Sequence, residues 1–310
     1  MKATFHQLEV FECVARRLSF TRAAEELSLS QPTVSAQIRA LTDAVGMPLF
    51  EQVGKTISLT AAGRELLTTS RSVFEHWSRF EMTIDDLRGL KRGVLRVACS
   101  TTAKYFVPGL LGPFCRQYPE IDVRLEIANR ARLVERLRDN LDDLTIMVQP
   151  PADVDVDATP FRDNALVAIA PVDHALANLT RVPLARLRDE PFVMRESGSG
   201  TRFVAERHFE AAGFSPQVRM ELGSNEAVKH AVAAGLGLAV VSADALDVEP
   251  ALDGLAILDL EGFPLVDQWQ VVQGHGRRLS VVARAFHDFI LAEASKPRGE
   301  RSAARLPRAA

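Results

Sequence analysis

The stretch Ser19 to Gly46, SFTRAAEELSLSQPTVSAQIRALTDAVG, constrains the chain more than any other. Its apolar residues fall into two helical sets: Ala23, Ala24 and Leu27, then Val34, Ile38, Leu41 and Val45, the second at the spacing of one helix face. Two short helices with one shared core follow. Ser28-Leu29-Ser30 between them leaves room only for a tight corner, Ser30 is placed to cap the second helix, and Pro32 suits its first turn. This is the pattern of a helix-turn-helix. With Val34, Ile38, Leu41 and Val45 facing inward, Gln31, Thr33, Ser35, Gln37 and Arg39 lie on or beside the opposite face, where such side chains can meet base edges and phosphates. An ordinary amphipathic helix pair with a solvated polar face has the same pattern, so the flanking residues decide.

The second helix is expected to stop at Gly46. Beyond it, Glu51 to Thr60 reads as two short extended runs about the Gly54 corner, a wing that would set Lys55 beside a phosphate. Upstream, Phe5, Leu8, Phe11, Val14 and Ala15 form a helical stripe, predicting a supporting helix over 4–17. ARRLSFTRAAEELSLSQPTVSAQIRAL and then PLFEQVGKTISLTAAGRELL resemble, in register, the N-terminal domain of LysR-type transcriptional regulators. The resemblance implies a winged helix-turn-helix over 1–60 that meets double-stranded DNA through Arg22, Gln31, Pro32, Thr33, Ser35, Gln37, Arg39 and Lys55. Ala36 and Gln52 stand where many members carry arginine, so contacts made through those arginines do not transfer.

Charge complicates that reading. Residues 1–60 hold six basic and six acidic side chains, whereas a DNA-binding surface must be locally positive. The charges are therefore expected to segregate between faces, and several copies to bind together. The next segment, 61–90, supplies a means: Leu66, Val73, Trp77, Phe80, Ile84 and Leu87 follow steps of seven, four, three, four and three, the spacing of a paired helix. A dimerising linker is expected there, against the alternative of a stripe packed on its own domain.

At Gly89 to Gly93 the pattern changes. Val94–Cys99, 123–128 and 144–148 are apolar, largely β-branched runs separated by helical patterns at 104–118 and 130–140, predicting a βαβαβ unit with a parallel sheet. A second set has strands near 165–170, 192–194, 217–222 and 238–241 with helices near 201–212 and 225–234. A last strand at 269–273 and helix at 280–293 are expected to return to the first lobe. The expectation is an α/β chain: the helix-turn-helix head, a linker helix, and a two-lobed effector domain over 91–295. Lobe one would hold about 91–161 and 266–295, lobe two about 162–265. This resembles the periplasmic-binding-protein-like effector domain of LysR-type regulators. The tail, 296–310, has five basic residues and one acidic and is expected to be disordered.

In open α/β sheets, ligands sit beyond the carboxyl ends of strands, where helix-start amides point outward. Two segments fit that place. Ser100-Thr101-Thr102-Ala103-Lys104 follows the first strand of lobe one, and Glu196-Ser197-Gly198-Ser199-Gly200-Thr201-Arg202 follows a strand of lobe two and opens a helix. Glycines permit close approach, hydroxyls cap or donate, and Lys104 and Arg202 supply positive charge for an anionic metabolite. Asn129, Gln149, Ser224 and Asn225 occupy comparable positions, each with helix capping as the alternative use.

Other classes find little support. Gly235-Leu236-Gly237-Leu238-Ala239-Val240 fails the dinucleotide pattern at its last glycine, Gly198-Ser199-Gly200 lacks the spacing of a nucleophile elbow, and the seven histidines form no metal-ligand spacing. No catalytic residue, cofactor or metal is expected. A transport binding protein would have no use for residues 1–90. No apolar run approaches the ~18 residues of a membrane span, and the N-terminus lacks a secretory pattern. Cys13, Cys99 and Cys115 are scattered thiols, Cys99 most simply a buried structural one. A cytoplasmic protein is expected. TTAKYFVPGLLGPFCRQYP, IANR and MELGSNEAVKHAVAAGLGLAVVS resemble the CbbR-type subgroup, which regulates Calvin-cycle and RuBisCO operons. That resemblance implies activation of carbon-fixation genes by a homodimer or homotetramer, contact with RNA polymerase, and response to a sugar phosphate, carboxylate or reduced nicotinamide nucleotide. Regulation of another metabolic operon is the alternative.

Overall fold

A computed structural model describes residues 3–53, 56–88, 93–246 and 249–295 of the chain. Lys55, the side chain of Leu87, the Gly89 end of the expected hinge and the 296–310 tail lie outside the described residues. Contacts divide the chain into two units, residues 1–84 and 85–310.

In the first unit, α1 (Phe5–Arg17) begins with a reciprocal cap. The Gln7 amide donates to Thr4 Oγ1 at 3.2 Å, and the Thr4 amide donates to Gln7 Oε1 at 2.9 Å. α2 (Phe20–Glu26) and α3 (Gln31–Val45) follow. Ser28 turns the corner between them with a left-handed φ of 54°, Ser30 Oγ accepts from the Thr33 amide at 3.2 Å, and Gly46 ends α3 at φ 78°. Val34, Ile38 and Leu41 are buried with Val10, Phe11, Val14, Ala23 and Ala24, while Val45 packs at the margin. The wing is β1 (Phe50–Val53) paired antiparallel with β2 (Thr56–Leu59). Gly63 then lets the next helix start close to the wing, because a Cβ there would lie 2.1 Å from the Leu49 carbonyl oxygen.

That helix, α4 (Ala61–Arg88), revises the expected seam. Leu66 does not stand on an open face: it packs with Leu67 against the head core, and buried Ser70 donates to its carbonyl at 2.8 Å. Val73, Trp77 and Phe80 do form an exposed apolar strip, Trp77 and Phe80 at 50% and 53% exposure. Phe5 of α1 joins it, 5.5 Å from the Trp77 ring, with Phe80 5.5 Å beyond. The strip therefore draws on two helices, which a seam read along one helix could not reveal.

The second unit runs β3 (Gly93–Ser100), α5 (Val107–Gln117), β4 (Ile121–Ala128), α6 (Arg130–Arg138), β5 (Leu144–Val148), β6 (Val156–Pro171), β7 (Pro191–Arg195), α7 (Gly200–Ala211), β8 (Gln217–Leu222), α8 (Asn225–Ala233), β9 (Ala239–Ser242), β10 (Leu255–Leu258), β11 (Leu265–Gly274) and α9 (Val281–Ser295). β3 pairs in parallel with both β4 and β5, the expected βαβαβ unit. β6 and β11 are longer than their apolar centres suggested. They run antiparallel from Val156↔Gly274 to Leu166↔Leu265, broken by a register shift at Trp269/Gln270, and carry the chain between two cores. One core gathers β3, β5, α5 and α9 residues, including Val97, Phe114 and Phe286. The other gathers Leu166, Phe192, Phe209 and Val240. At the crossing, Arg162 pairs with Asp244 and stacks over Phe106 at 4.4 Å, and Trp269 Nε1 donates to Asp244 Oδ2 at 3.2 Å. β10 has no counterpart in the expected pattern.

Cys99 is fully buried on β3, and burial pushes its thiol up to about 12, which disfavours the reactive thiolate. None of the described helices is long and apolar enough to cross a membrane. Among the described residues no His, Cys, Asp or Glu cluster could hold a metal.

Candidate DNA-facing helix and effector cleft

On α3, Gln31, Pro32, Thr33 and Arg39 are exposed and Ser35 and Gln37 half-buried, as the inward set requires. Gln31 Nε2 donates to Ser35 Oγ at 3.0 Å, so these two form one polar unit a single turn apart. Thr33 is partly spent on the cap, its hydroxyl 2.7 Å from Ser30 Oγ. Several charges of the head are paired with one another. Arg16 Nη2 lies 2.5 Å from Glu26 Oε1, Arg16 Nε 3.5 Å from Glu12, and Arg17 Nε donates to Glu26 at 2.5 Å. Among the described residues Arg22, in the first turn of α2, and Arg39, on the exposed face of α3, make no ion pair.

In the second unit the carboxyl ends of β3 and β7 meet the start of α8 across the lobes. The residue that joins them, Arg195, was not among the expected site residues. It ends β7 at 2% exposure, on a strand whose pattern is otherwise apolar. Its Nη1 donates to Asn225 Oδ1 at 2.5 Å, its Nη2 to Thr101 Oγ1 at 3.2 Å, and its Nε and Nη2 to the two carboxylate oxygens of Glu196 at 2.8 and 3.0 Å. Asn225 Nδ2 in turn donates to Thr102 Oγ1 at 3.2 Å. Four of the five guanidinium donors are thus engaged. The signal was available: a charged residue at the C-terminal end of a buried strand, where the fold places ligands.

Ser100, Thr102, Ser199 and Thr201, in the two segments that follow β3 and β7, are buried. The Ser100 hydroxyl has no hydrogen-bond partner among the described residues, and Ser199 begins α7 without a side-chain cap. Lys104 is not a free cation. Its Nζ lies 2.9 Å from Glu226 Oε1, and the Tyr105 hydroxyl donates to the same oxygen at 2.5 Å. Burial pushes the Glu226 carboxyl up, but the hydrogen bonds from Tyr105 and Lys104 outweigh it and hold the group down at about 2. Burial, with the Glu226 hydrogen bond, raises the Tyr105 phenol.

Two expectations need correction. Arg202 does not present its charge to the cleft: it pairs with Glu206 at 2.7 Å and with Glu221, and donates to the Arg195 carbonyl at 3.0 Å. Ser197 is exposed, its amide bound to Glu221 at 3.1 Å. A helix start faces two ways, and the two carboxylates draw this part of it outward. Asn129 caps α6 by accepting from the Arg132 amide at 3.1 Å, and Ser224 caps α8 in the same way. Gln149 sits at a left-handed φ of 48° and bridges two arginines.

A winged helix-turn-helix joined to a two-lobed α/β unit with a polar cleft defines a class: DNA-binding regulators that carry a ligand-binding domain. Residues 5–64 match the model described as "Bacterial regulatory helix-turn-helix protein, lysR family", and residues 88–295 match "LysR substrate binding domain". The chain belongs to the LysR family of transcriptional regulators, DNA-binding proteins and not enzymes. It is 48% identical over 290 residues to a "RuBisCO operon transcriptional regulator" of Acidithiobacillus ferrooxidans, covering 94% of each chain. It is 47% identical over 290 residues to the "HTH-type transcriptional activator CmpR" of a Synechocystis strain, covering 94% of this chain and 95% of that one. Among solved structures it is similar to the Synechocystis CcmR regulatory domain in complex with 2-PG, at 44% identity and a TM-score of 0.64, over 66% of this chain and 98% of that one.

Proposed function

We propose that this regulator activates carbon-fixation genes in response to a small anionic metabolite bound between the lobes of its second unit. The buried network from Thr101 and Thr102 to Arg195 and Asn225 carries this reading. It ties the two lobes together through polar groups, and it leaves the Ser100 hydroxyl and one Arg195 N–H unspent beside it. Buried polar groups left unpartnered are costly, and a polar ligand removes the cost. The similar regulatory domain bound to 2-PG supports phosphoglycolate as the first compound to try. An effector acts only by preferring one lobe arrangement, and linkage then requires DNA and effector to change each other's affinity by the same factor. Footprints of the full chain on its operator, with and without 2-phosphoglycolate, test this. Thr102→Val should retain DNA binding and lose the effector-dependent change. Arg202→Ala should respond like the wild type. A Thr102→Val protein with an unaltered response would remove the cleft from the mechanism.

On the DNA side, the reading places one α3 per half-site in the major groove of a pseudo-palindrome, with Gln31, Ser35 and Arg39 toward base edges and phosphates. Lys55 contributes a phosphate contact, and the bound regulator presents itself to RNA polymerase. A homodimer, or a homotetramer of two such pairs, would cover the Phe5, Val73, Trp77 and Phe80 strip, together with Ile84 further along α4. An aromatic strip this exposed gains most by meeting another copy. Trp77→Glu with Phe80→Glu should release monomers in sedimentation while each unit keeps its helical spectrum. Sedimentation of the folded double variant as the wild-type assembly would contradict the strip.

A further inference from the structure

Among the described residues, every cation at the lobe junction but two forms an ion pair with a carboxylate. Lys104 has Glu226, Arg195 has Glu196, and Arg202 has Glu206 and Glu221. The exceptions are Arg130, which opens α6 in lobe one, and Arg207, on α7 in lobe two. Both are held by neutral groups of one residue, Gln149. Arg130 Nε and Nη2 donate to its carbonyl at 3.2 and 3.0 Å, and Arg207 Nη1 donates to its Oε1 at 2.8 Å. Both also lie over the ring of Phe203, at 4.6 and 5.8 Å from its centroid. Asp153, the carboxylate that acts on Arg130, is itself bound by Arg138 at 2.5 Å.

Arg130 is half-buried, so its charge has lost part of its hydration, and its one acidic neighbour, Asp153, acts on it without forming an ion pair with it. Gln149 meanwhile adopts a left-handed backbone, which a non-glycine residue keeps only where its surroundings require it. The first turn of α7 meets the same corner. A Cβ added to Gly200 would lie 3.8 Å from the Cβ of Arg130 and 3.4 Å from Val148, and the Ala131 amide donates to the Gly198 carbonyl at 3.2 Å. A Cβ on Gly198 would come within 2.9 Å of Ala131, so only glycine lets the two helix starts approach this closely. The first turn of α7, which no side chain caps, thus meets the stem of Arg130, whose guanidinium shares Gln149 and the Phe203 ring with that of Arg207.

We infer that the corner formed by Arg130, Arg207, Phe203 and the first turn of α7 binds a phosphate or phosphoryl dianion that bridges the two lobes. The inference extends the cleft reading above, because it names the cations that meet the anionic end of the effector. Arginine forks suit phosphate oxygens, and an anion held from both lobes would stabilise one lobe arrangement in the way an effector must. Lys104, already satisfied by Glu226, contributes little to that recognition.

Inorganic phosphate, titrated into the full-length protein and followed by its phosphorus resonance, tests the site without any assumption about the effector. Arg207→Gln changes an exposed residue and keeps the fold, and Arg130→Gln keeps most of the stem packed beside Gly200. Each should weaken phosphate binding by about tenfold, and the two together by about a hundredfold, while Lys104→Gln leaves it within about twofold. Competition by 2-phosphoglycolate, but not by glycolate, should release the bound phosphate from the wild type. Unchanged phosphate affinity in Arg207→Gln and in the double variant overturns the inference, as does a loss confined to Lys104→Gln. Phosphate binding that depends on both arginines but ignores 2-phosphoglycolate keeps the anion site and overturns only its assignment to that effector.

Discussion

In the head, Arg22, Gln31 and Arg39 stand exposed on one continuous stretch of chain, held up by a small core. In the cleft, Thr102 and Asn225 meet across 123 positions of sequence, and Arg195 joins them from a third segment. The head displays polar side chains toward a partner that arrives from outside. The cleft buries them and must satisfy each one internally until a ligand comes. The same residue types are therefore cheap to change in one region and costly in the other, because a solvated group loses little when its neighbours go and a buried one strands its partners.

The most severe test of that contrast is Arg195→Leu against Arg39→Leu. Removing Arg195 leaves Asn225 Oδ1, Thr101 and the Glu196 carboxylate without their donor. It should destabilise the second unit by about 3 kcal/mol, read as a lowered urea midpoint. Arg39→Leu should stay within about 0.5 kcal/mol of the wild type, while DNA affinity falls. Equal stability losses in the two variants would erase the distinction between displayed and buried charge.

The same contrast explains what could be read from the residues. The helix-turn-helix was legible because its determinants are local: the periodicity of Val34, Ile38 and Leu41, the Ser30 cap and the Gly46 stop all act within a turn or two. The βαβαβ unit was legible for the same reason, and its strands and helices fall within a few residues of the expected spans. What failed was long-range. The apolar centre of β6 showed six residues of a strand that runs for sixteen, because its remaining length is set by pairing with β11. From the residues alone Arg202 reads as a cleft cation because it stands at a helix start, while Arg195 carries no such mark. Only the fold shows that Glu206 and Glu221 claim the first, while the second is carried inward by its strand. Spacing along one helix puts Leu66 in the seam, because it says nothing of the head core beside it.

A second test moves to the display side. Gln31→Ala or Ser35→Ala should lower specific operator affinity by ~1–3 kcal/mol if the residue makes a good base contact. Because the two are hydrogen-bonded to each other, the double variant should lose less than the sum of the singles. Lys55→Ala should weaken all sequences alike and flatten the salt dependence of binding. Strict additivity of the two α3 changes, measured by titration onto a labelled operator, would mean that Gln31 and Ser35 act separately on DNA.

The smallest effect is expected from the ion pair at the edge of the cleft, which lies between the two extremes. Glu226 bridges the lobes to Lys104 and Tyr105, yet its side chain is 43% exposed, so water screens much of the attraction. Its carboxyl is held at about 2 in the folded protein against an ordinary 4.5. A depressed carboxylate contributes stability that is complete above the unfolded value and is lost as pH falls through the folded one. The wild type should therefore exceed Glu226→Gln in stability by a small constant margin, under ~1 kcal/mol, from neutral pH down to about 5. The margin should shrink between about 4.5 and 2 as the unfolded and then the folded carboxyl takes up its proton. Urea midpoints of the two proteins across that range measure it. A margin that stays constant to pH 2 would show that Glu226 stabilises by packing rather than by charge. A margin comparable to that of Arg195→Leu would place the pair with the buried network instead of at its exposed edge.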